Sequence, residues 1–307
     1  MHRVLIRRAS SPWQSPAVLS RRAARSWVVI IVCCVGCGPN DAPSVDAVDT
    51  APPPPPPEAP TPTAPARKII DDPRAMTIAE LRERLHIGNA GEIQKVGGQI
   101  VAMDLRGTGV KDISVLKGLP LRELYLEQNP ITDITALAGM PLDKLYLDDT
   151  KVTDLTPLTG MKLTELNLSR APVSDLAPLT DVEFGTLWIP ETQVSDLTPL
   201  AGKLFVSLDL RATPVSDLSP LAGNTSLRRL HIAETKVTDV TPLAGLQLER
   251  LAFTPGNMIQ GLDFIRGMSS LTGLDTHFEG GQIRSPEEFW NLYEAGDLDD
   301  SEDTPQE

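Results

Sequence analysis

Cysteine is nearly missing from this 307-residue chain: the three present, Cys33, Cys34 and Cys37, sit inside one short apolar segment. Everything after them is free of thiols, which excludes a disulfide framework, a thiolate zinc cluster and a cysteine nucleophile there. Long apolar runs are missing too. Trp27–Val35 is nine residues long, which as a helix spans ~14 Å against a bilayer core of about 30 Å, so a permanent membrane-spanning helix is not expected. Histidine is scarce: beyond the leader only His86, His231 and His277 occur. No phosphate-binding loop, zinc-ligand spacing or nucleophile elbow is present, so neither a cofactor nor a metal is expected. Positive charge is also short. Residues 1–36 hold six arginines and no acid; without them 22 basic residues face 41 acidic ones, a net charge of −19. Such a surface repels nucleic acid and anionic head groups.

What the chain has instead is one phrase repeated with small edits, L-x-x-L-x-L-x-x-T-x-V-x-D-L-x-P-L-x-G, plainest in 142–160 and 227–245. Its first apolar position recurs at Ile100, Leu121, Leu142, Leu163, Phe184, Phe205, Leu227, Leu248 and Leu271, mostly 21 residues apart. A fixed period this short implies a solenoid, in which each unit hides its apolar face only by stacking on its neighbours.

One unit, 142–162, can be read as structure. Leu145-Tyr146-Leu147 alternates in-out-in, as a short strand does, so the stacked units give a parallel sheet. Thr150 turns the chain and Val152 returns it to the core. Asp154 is placed to accept the Thr156 N–H, and Pro157 falls in a first turn where its missing N–H costs nothing. Too few residues remain before Gly160 for more than a 3₁₀-like turn. The Asp column (Asp112, Asp133, Asp154, Asp175, Asp196, Asp217, Asp239) therefore has a capping job that needs no calcium, whose sites require several oxygens converging on one point.

With its D-[IL]-x-P-L segment the phrase resembles leucine-rich repeats of the internalin-like type over residues 100–270. The resemblance implies an α/β solenoid: a horseshoe with short parallel strands on the concave face, 3₁₀-like turns on the convex face and helical caps at both ends. The units depart from the type in being mostly 21 residues long. The usual Asn ladder position is Asn only at Asn129; Thr108, Thr150, Thr192, Thr213 and Thr235 fill it elsewhere, and Ala171 once. The resemblance also implies that partners bind the concave face.

The central outward column of that face reads Asp104, Tyr125, Tyr146, Asn167, Trp188, Asp209, His231, Ala252. The chain has three Tyr and four Trp, and two Tyr and one Trp fall here, the residue types enriched at binding hot spots. Flanking charges sort by half: Glu123, Glu127, Asp148, Asp149 and Glu165 against Arg211, Arg229 and Arg250 beside His231. A protein or peptide partner of opposite polarity is expected to dock on Tyr125, Tyr146, Asn167, Trp188, Asp209, Arg211, Arg229, His231, Arg250, Glu123, Glu127 and Asp148. The competing reading is that Tyr125 and Tyr146 only pack on each other in a purely structural envelope protein. A remoter one is a hydrolase using His231, Asp209 and Ser207, an isolated set on an exposed sheet.

The leader, 1–36, has a basic region, a short apolar region and a small residue, the layout of a secretory signal. Val35-Gly36-Cys37 resembles a bacterial lipoprotein signal, which implies that Cys37 is the lipidated first residue of the mature protein; an ordinary cleaved signal and an uncleaved anchor are the alternatives. Gly38 after it, by resemblance to Gram-negative lipoproteins, implies the outer membrane. Residues 37–72 form a Pro/Ala-rich spacer whose Pro52–Pro57 run is an extended polyproline rod. A cap follows at 73–99, with Thr77 and Glu80 as a capping box on a helix over 77–86. Repeats occupy 100–283. A second cap helix, 284–296, carries Phe289, Trp290, Leu292 and Tyr293 and stops at Gly296. The acidic tail, 297–307, reads as disordered. A monomer, tethered through its lipid alone, is expected.

Overall fold

The computed structural model describes residues 76–277 and 283–298. The leader (1–36), Cys37, the spacer (37–72) and residues 299–307 of the acidic tail lie outside the described residues.

Ten strands form one sheet in chain order: β1 (Glu92–Val96), β2 (Gln99–Asp104), β3 (Glu123–Tyr125), β4 (Lys144–Tyr146), β5 (Lys162–Asn167), β6 (Glu183–Trp188), β7 (Ser207–Asp209), β8 (Arg229–His231), β9 (Arg250–Ala252) and β10 (Gly273–Asp275). From β2 to β10 every pairing is parallel, and the strand leucines stay opposite one another, Leu124 on Leu145 and Leu145 on Leu166. Their side chains are buried in a core that runs unbroken from Leu81 to Trp290. The one antiparallel pairing is β1 with β2. Its turn, Gly97-Gly98, has φ of 59° and 83°, the left-handed geometry that a two-residue hairpin needs. That hairpin, absent from the sequence reading, makes β1 the first strand of the sheet.

Behind each strand the chain turns through three residues of 3₁₀ helix, such as Thr156–Leu158 and Thr198–Leu200. Every Asp of the repeated column acts as expected. Its Oδ1 accepts the N–H two residues on, at 2.7–2.8 Å from Asp112 to Asp239. The Thr135 N–H holds the Asp133 carboxyl below the usual carboxylate range.

The ladder position splits by residue type. Each Thr hydroxyl donates to the carbonyl three residues earlier in its own repeat, as Thr150 does to Leu147 at 2.6 Å and Thr213 to Leu210 at 2.6 Å. Asn129 reaches into the neighbouring repeat, accepting from Gly109 and Val110 and, at 3.4 Å, from the Thr108 hydroxyl, and donating to Leu105. One residue before this position a second column adopts positive φ, between 52° and 59°, at Gln128, Asp149, Arg170, Glu191, Ala212 and Glu234. That conformation aims each N–H along the stack: Gln128 donates to Asp148 at 3.0 Å and Ala212 to Ala233 at 3.0 Å. The inter-repeat ladder thus continues past the strand ends.

Both caps form. Thr77 and Glu80 make a reciprocal capping box on α1 (Ile78–Arg84), which buries Leu81. Near the other end the phrase decays, and Gln260 takes the place beside Asp239 that earlier repeats give to an Asp. Gly261 has φ +93°, and a Cβ there would lie 2.8 Å from the Thr241 nitrogen, so glycine is required. α2 (Leu262–Arg266) then replaces the 3₁₀ turn. α3 (Pro286–Ala295), capped by Ser285 and stopped by left-handed Gly296, covers the last repeat. Phe289 stacks at 5.6 Å on Phe253, and Trp290 meets Phe289 edge-on at 5.2 Å. The outer edge of β10 is occupied as well: Leu274 N–H donates to the Arg284 carbonyl at 3.0 Å, and Arg284 pairs with Asp275. At this end the segment at Arg284 therefore covers the sheet edge against further strand addition.

Candidate functional site

The strand alternation puts three outward columns on the concave face. Register confirms the central one as Asp104, Tyr125, Tyr146, Asn167, Trp188, Asp209, His231 and Ala252, and extends it to Asp275. Before it runs the column of Glu123, Lys144, Glu165, Thr186, Ser207, Arg229 and Arg250. After it come Arg106, Glu127, Asp148, Ser169, Pro190 and Arg211.

The columns are placed as expected, but their exposure is not. Tyr146 is 8% exposed and Trp188 6%. Tyr125 stacks on Tyr146 at 5.0 Å, and Tyr146 on Trp188 at 5.9 Å. Tyr146 and Trp188 are two strands apart, roughly 10 Å of sheet, so the rings lean toward one another across Asn167. Asn167 is held beneath them, donating to Asp148 at 3.0 Å and accepting from the Ser169 N–H at 3.0 Å. Asp209 and His231 are not an exposed pair either; His231 is 2% exposed and its Nδ1 lies 3.4 Å from Asp209. Residues read as free outward positions are thus an ordered layer above the sheet.

The expected division into an acidic and a basic half is also modified. Lys144 stands between Glu123 and Glu165 in the register and lies 3.4 Å from Glu165. The Tyr125 hydroxyl donates to Glu123 at 3.0 Å, and the Tyr146 hydroxyl donates to Glu165. Arg106 bonds Asp104 and lies 3.9 Å from Glu127. Arg170 holds Asp149 through two nitrogens, both at 2.6 Å. At the other end Arg211 is taken by Glu191 at 2.5 Å and approached by Glu234 at 3.6 Å. Most of these charges are answered within the face, and sequence reading missed five of the partners, Arg106, Lys144, Arg170, Glu191 and Glu234. Their spacing of about one repeat from the opposite charge was the available signal.

Two carboxyls sit differently. Burial pushes Glu127 up to about 8, despite Arg106, and Asp148 beside it up to about 6. Glu127 Oε2 is buried with no hydrogen-bond partner among the described residues. At neutral pH Glu127 is therefore largely protonated.

Inward leucines on nine parallel strands one repeat apart, with a 3₁₀ turn behind most of them, decide the architecture. The fold is a leucine-rich-repeat solenoid. It is similar to three solved structures from Listeria monocytogenes. The internalin InlF is 27% identical over 67% of this chain and 68% of that chain, with a TM-score of 0.48. Internalin C2 is 27% identical over 50% of this chain and 81% of its own, with a TM-score of 0.39. The functional domain of InlJ is 21% identical over 57% of this chain and 48% of its own, with a TM-score of 0.40. No family model matches the chain, and no curated protein matches it. Among the described residues of the solenoid, no three His, Cys, Asp or Glu side chains are grouped to hold a metal ion, and no helix is long and apolar enough to cross a membrane.

Proposed function

We propose that this leucine-rich-repeat chain is a protein-binding module of a bacterial envelope, tethered through a lipid on Cys37 and presenting its concave face to a protein or peptide. The single observation that carries the reading is the division of labour between positions. Leucines and valines make the core, the Asp column makes the convex turns, and the helices make the ends. The three concave columns do none of these jobs, yet they hold a stacked Tyr-Tyr-Trp layer with a rim of ordered charges. Side chains fixed before binding lose little entropy when a partner docks, which is how rigid recognition surfaces gain affinity.

The lipid and the outer-membrane address rest on the Val35-Gly36-Cys37 junction and on Gly38. The proline-rich spacer suits a module held away from its anchor: some 30 residues at ~3.1 Å each reach about 90 Å. A monomer that binds no nucleic acid completes the reading.

A photo-cross-linking residue at Tyr125, and separately at exposed Thr159 on the convex side, tests the module in cells. Adducts to another protein from position 125 and none from 159 are expected. Adducts from neither position would favour a purely structural envelope protein. Palmitate labelling of the wild type and of Cys37→Ala tests the tether; label that persists in the variant would remove it.

A further inference from the structure

Arg229 and Arg250 stand apart from the paired charges of the concave face. They are register partners on β8 and β9, one strand spacing apart in the same column. Neither makes an ion pair or a side-chain hydrogen bond among the described residues. Glu249, the nearest acid in sequence, lies 3.7 Å from Arg228 instead. Like charges directly opposite on a sheet are destabilising. Arg229 is also half-buried, and burial together with the Arg250 charge lowers its pKa. Among the described residues no carboxylate is bonded to either cation, and Glu249 and Glu165 act on Arg229 only at longer range.

The next position along that column is Ser207, in register with Arg229. It is 0% exposed, and its hydroxyl has no hydrogen-bond partner among the described residues. Trp188 Nε1, one strand further on, is another buried donor without an acceptor. Both of these donors are closed off from the surface, so of this group only the two guanidinium groups can be reached by an incoming acceptor.

We infer that Arg229 and Arg250 form a carboxylate-binding subsite, and that the partner segment lying on the concave face is acidic, with a Glu or Asp side chain set across the arginine pair. This rests on the concave-face reading above. The guanidinium fork matches the two oxygens of a carboxylate. Glu165 and Glu249 lie close enough to act on Arg229 electrostatically, and they repel a dianionic phosphate more than a singly charged carboxylate. The site lies on an open sheet face, which suits an extended peptide.

The test is fluorescence anisotropy of a labelled oligoglutamate peptide titrated with the full chain, beside an oligoglutamine peptide of equal length. Oligoglutamate binds and oligoglutamine does not. The double variant R229Q/R250Q weakens oligoglutamate binding by about tenfold or more, as loss of a charge partner does. A double variant of ion-paired arginines away from the face, R122Q/R266Q, leaves it unchanged. The inference is overturned if R229Q/R250Q binds as the wild type does, or if R122Q/R266Q loses as much. It is also overturned if inorganic phosphate displaces the peptide as effectively as unlabelled oligoglutamate, which would mark a small-anion site. Cross-links from position 125 that survive R229Q/R250Q keep the concave-face function and remove only this inference. Absence of cross-links removes the function itself, while the titration still reads the subsite.

Discussion

Asn129 donates from its side-chain amide to the Leu105 carbonyl, 2.8 Å away in the preceding repeat. The same amide group donates to Leu126 and Glu127, and its oxygen accepts from Gly109 and Val110. At the equivalent place Thr150 bonds only within its own repeat. Leu105 and Asn129 therefore mark the seam where the first repeats are joined by a side chain as well as by backbone.

Asn129→Ala removes these five hydrogen bonds and leaves the Gly109 and Val110 N–H groups and the Leu126 carbonyl unanswered, and a loss of about 3 kcal/mol or more is expected from chemical denaturation. Asn129→Thr keeps the bond to Leu126 and is expected to lose less. Equal losses in the two variants would show that the inter-repeat bonds contribute nothing.

Glu127 is expected to make stability depend on pH. Its carboxyl titrates near 8 when folded and near 4.5 when unfolded, so the folded state holds a proton that the unfolded state releases. The stabilisation is complete below about pH 4.5 and is lost as pH rises through about 8, at a slope of up to about 1.4 kcal/mol per pH unit. Glu127→Gln removes the dependence. Denaturation of both proteins between pH 5 and 8 checks this, and parallel curves would refute it.

Ala212 holds a φ of 52°, where its Cβ is strained against the backbone. Ala212→Gly relieves that strain and is expected to raise stability by about 1 kcal/mol, against the usual cost of a new glycine. A fall in melting temperature would count against the strain.

Phe289 seals the last repeat against Phe253. Phe289→Ala is expected to cost about 3–5 kcal/mol and to open β9 and β10 first in hydrogen exchange. Leu204→Ser, at a side chain that is mostly exposed, is the contrast and is expected to change little.

The repeats were legible in the sequence because the information is local and recurs. A 21-residue step with apolar side chains alternating across a strand fixes register directly, and Leu124, Leu145 and Leu166 pair as that step requires. Asp154 and Thr156 are two residues apart, and so are their bonded atoms' parent positions in every other copy. The caps were legible for the same reason, since Thr77 with Glu80 and Ser285 with Glu288 complete their bonds within one helical turn. The β1–β2 hairpin was missed although Gly97-Gly98 announced it, because attention to the long period passes over a turn that occurs once.

The site was less legible. Sequence alone determined which residues face the concave side, because side-chain direction has a period of two and cannot slip without exposing the whole core. Only the tertiary structure decided what that face presents. Tyr146 meets Trp188 from 42 residues away, and Arg170 holds Asp149 from 21 residues away, since stacking sets residues one repeat apart about 5 Å from one another. Whether a side chain is free depends on these neighbours from other repeats. That dependence turned an expected row of exposed aromatics into a packed layer, and left Arg229 and Arg250 adjacent with no ion pair among the described residues.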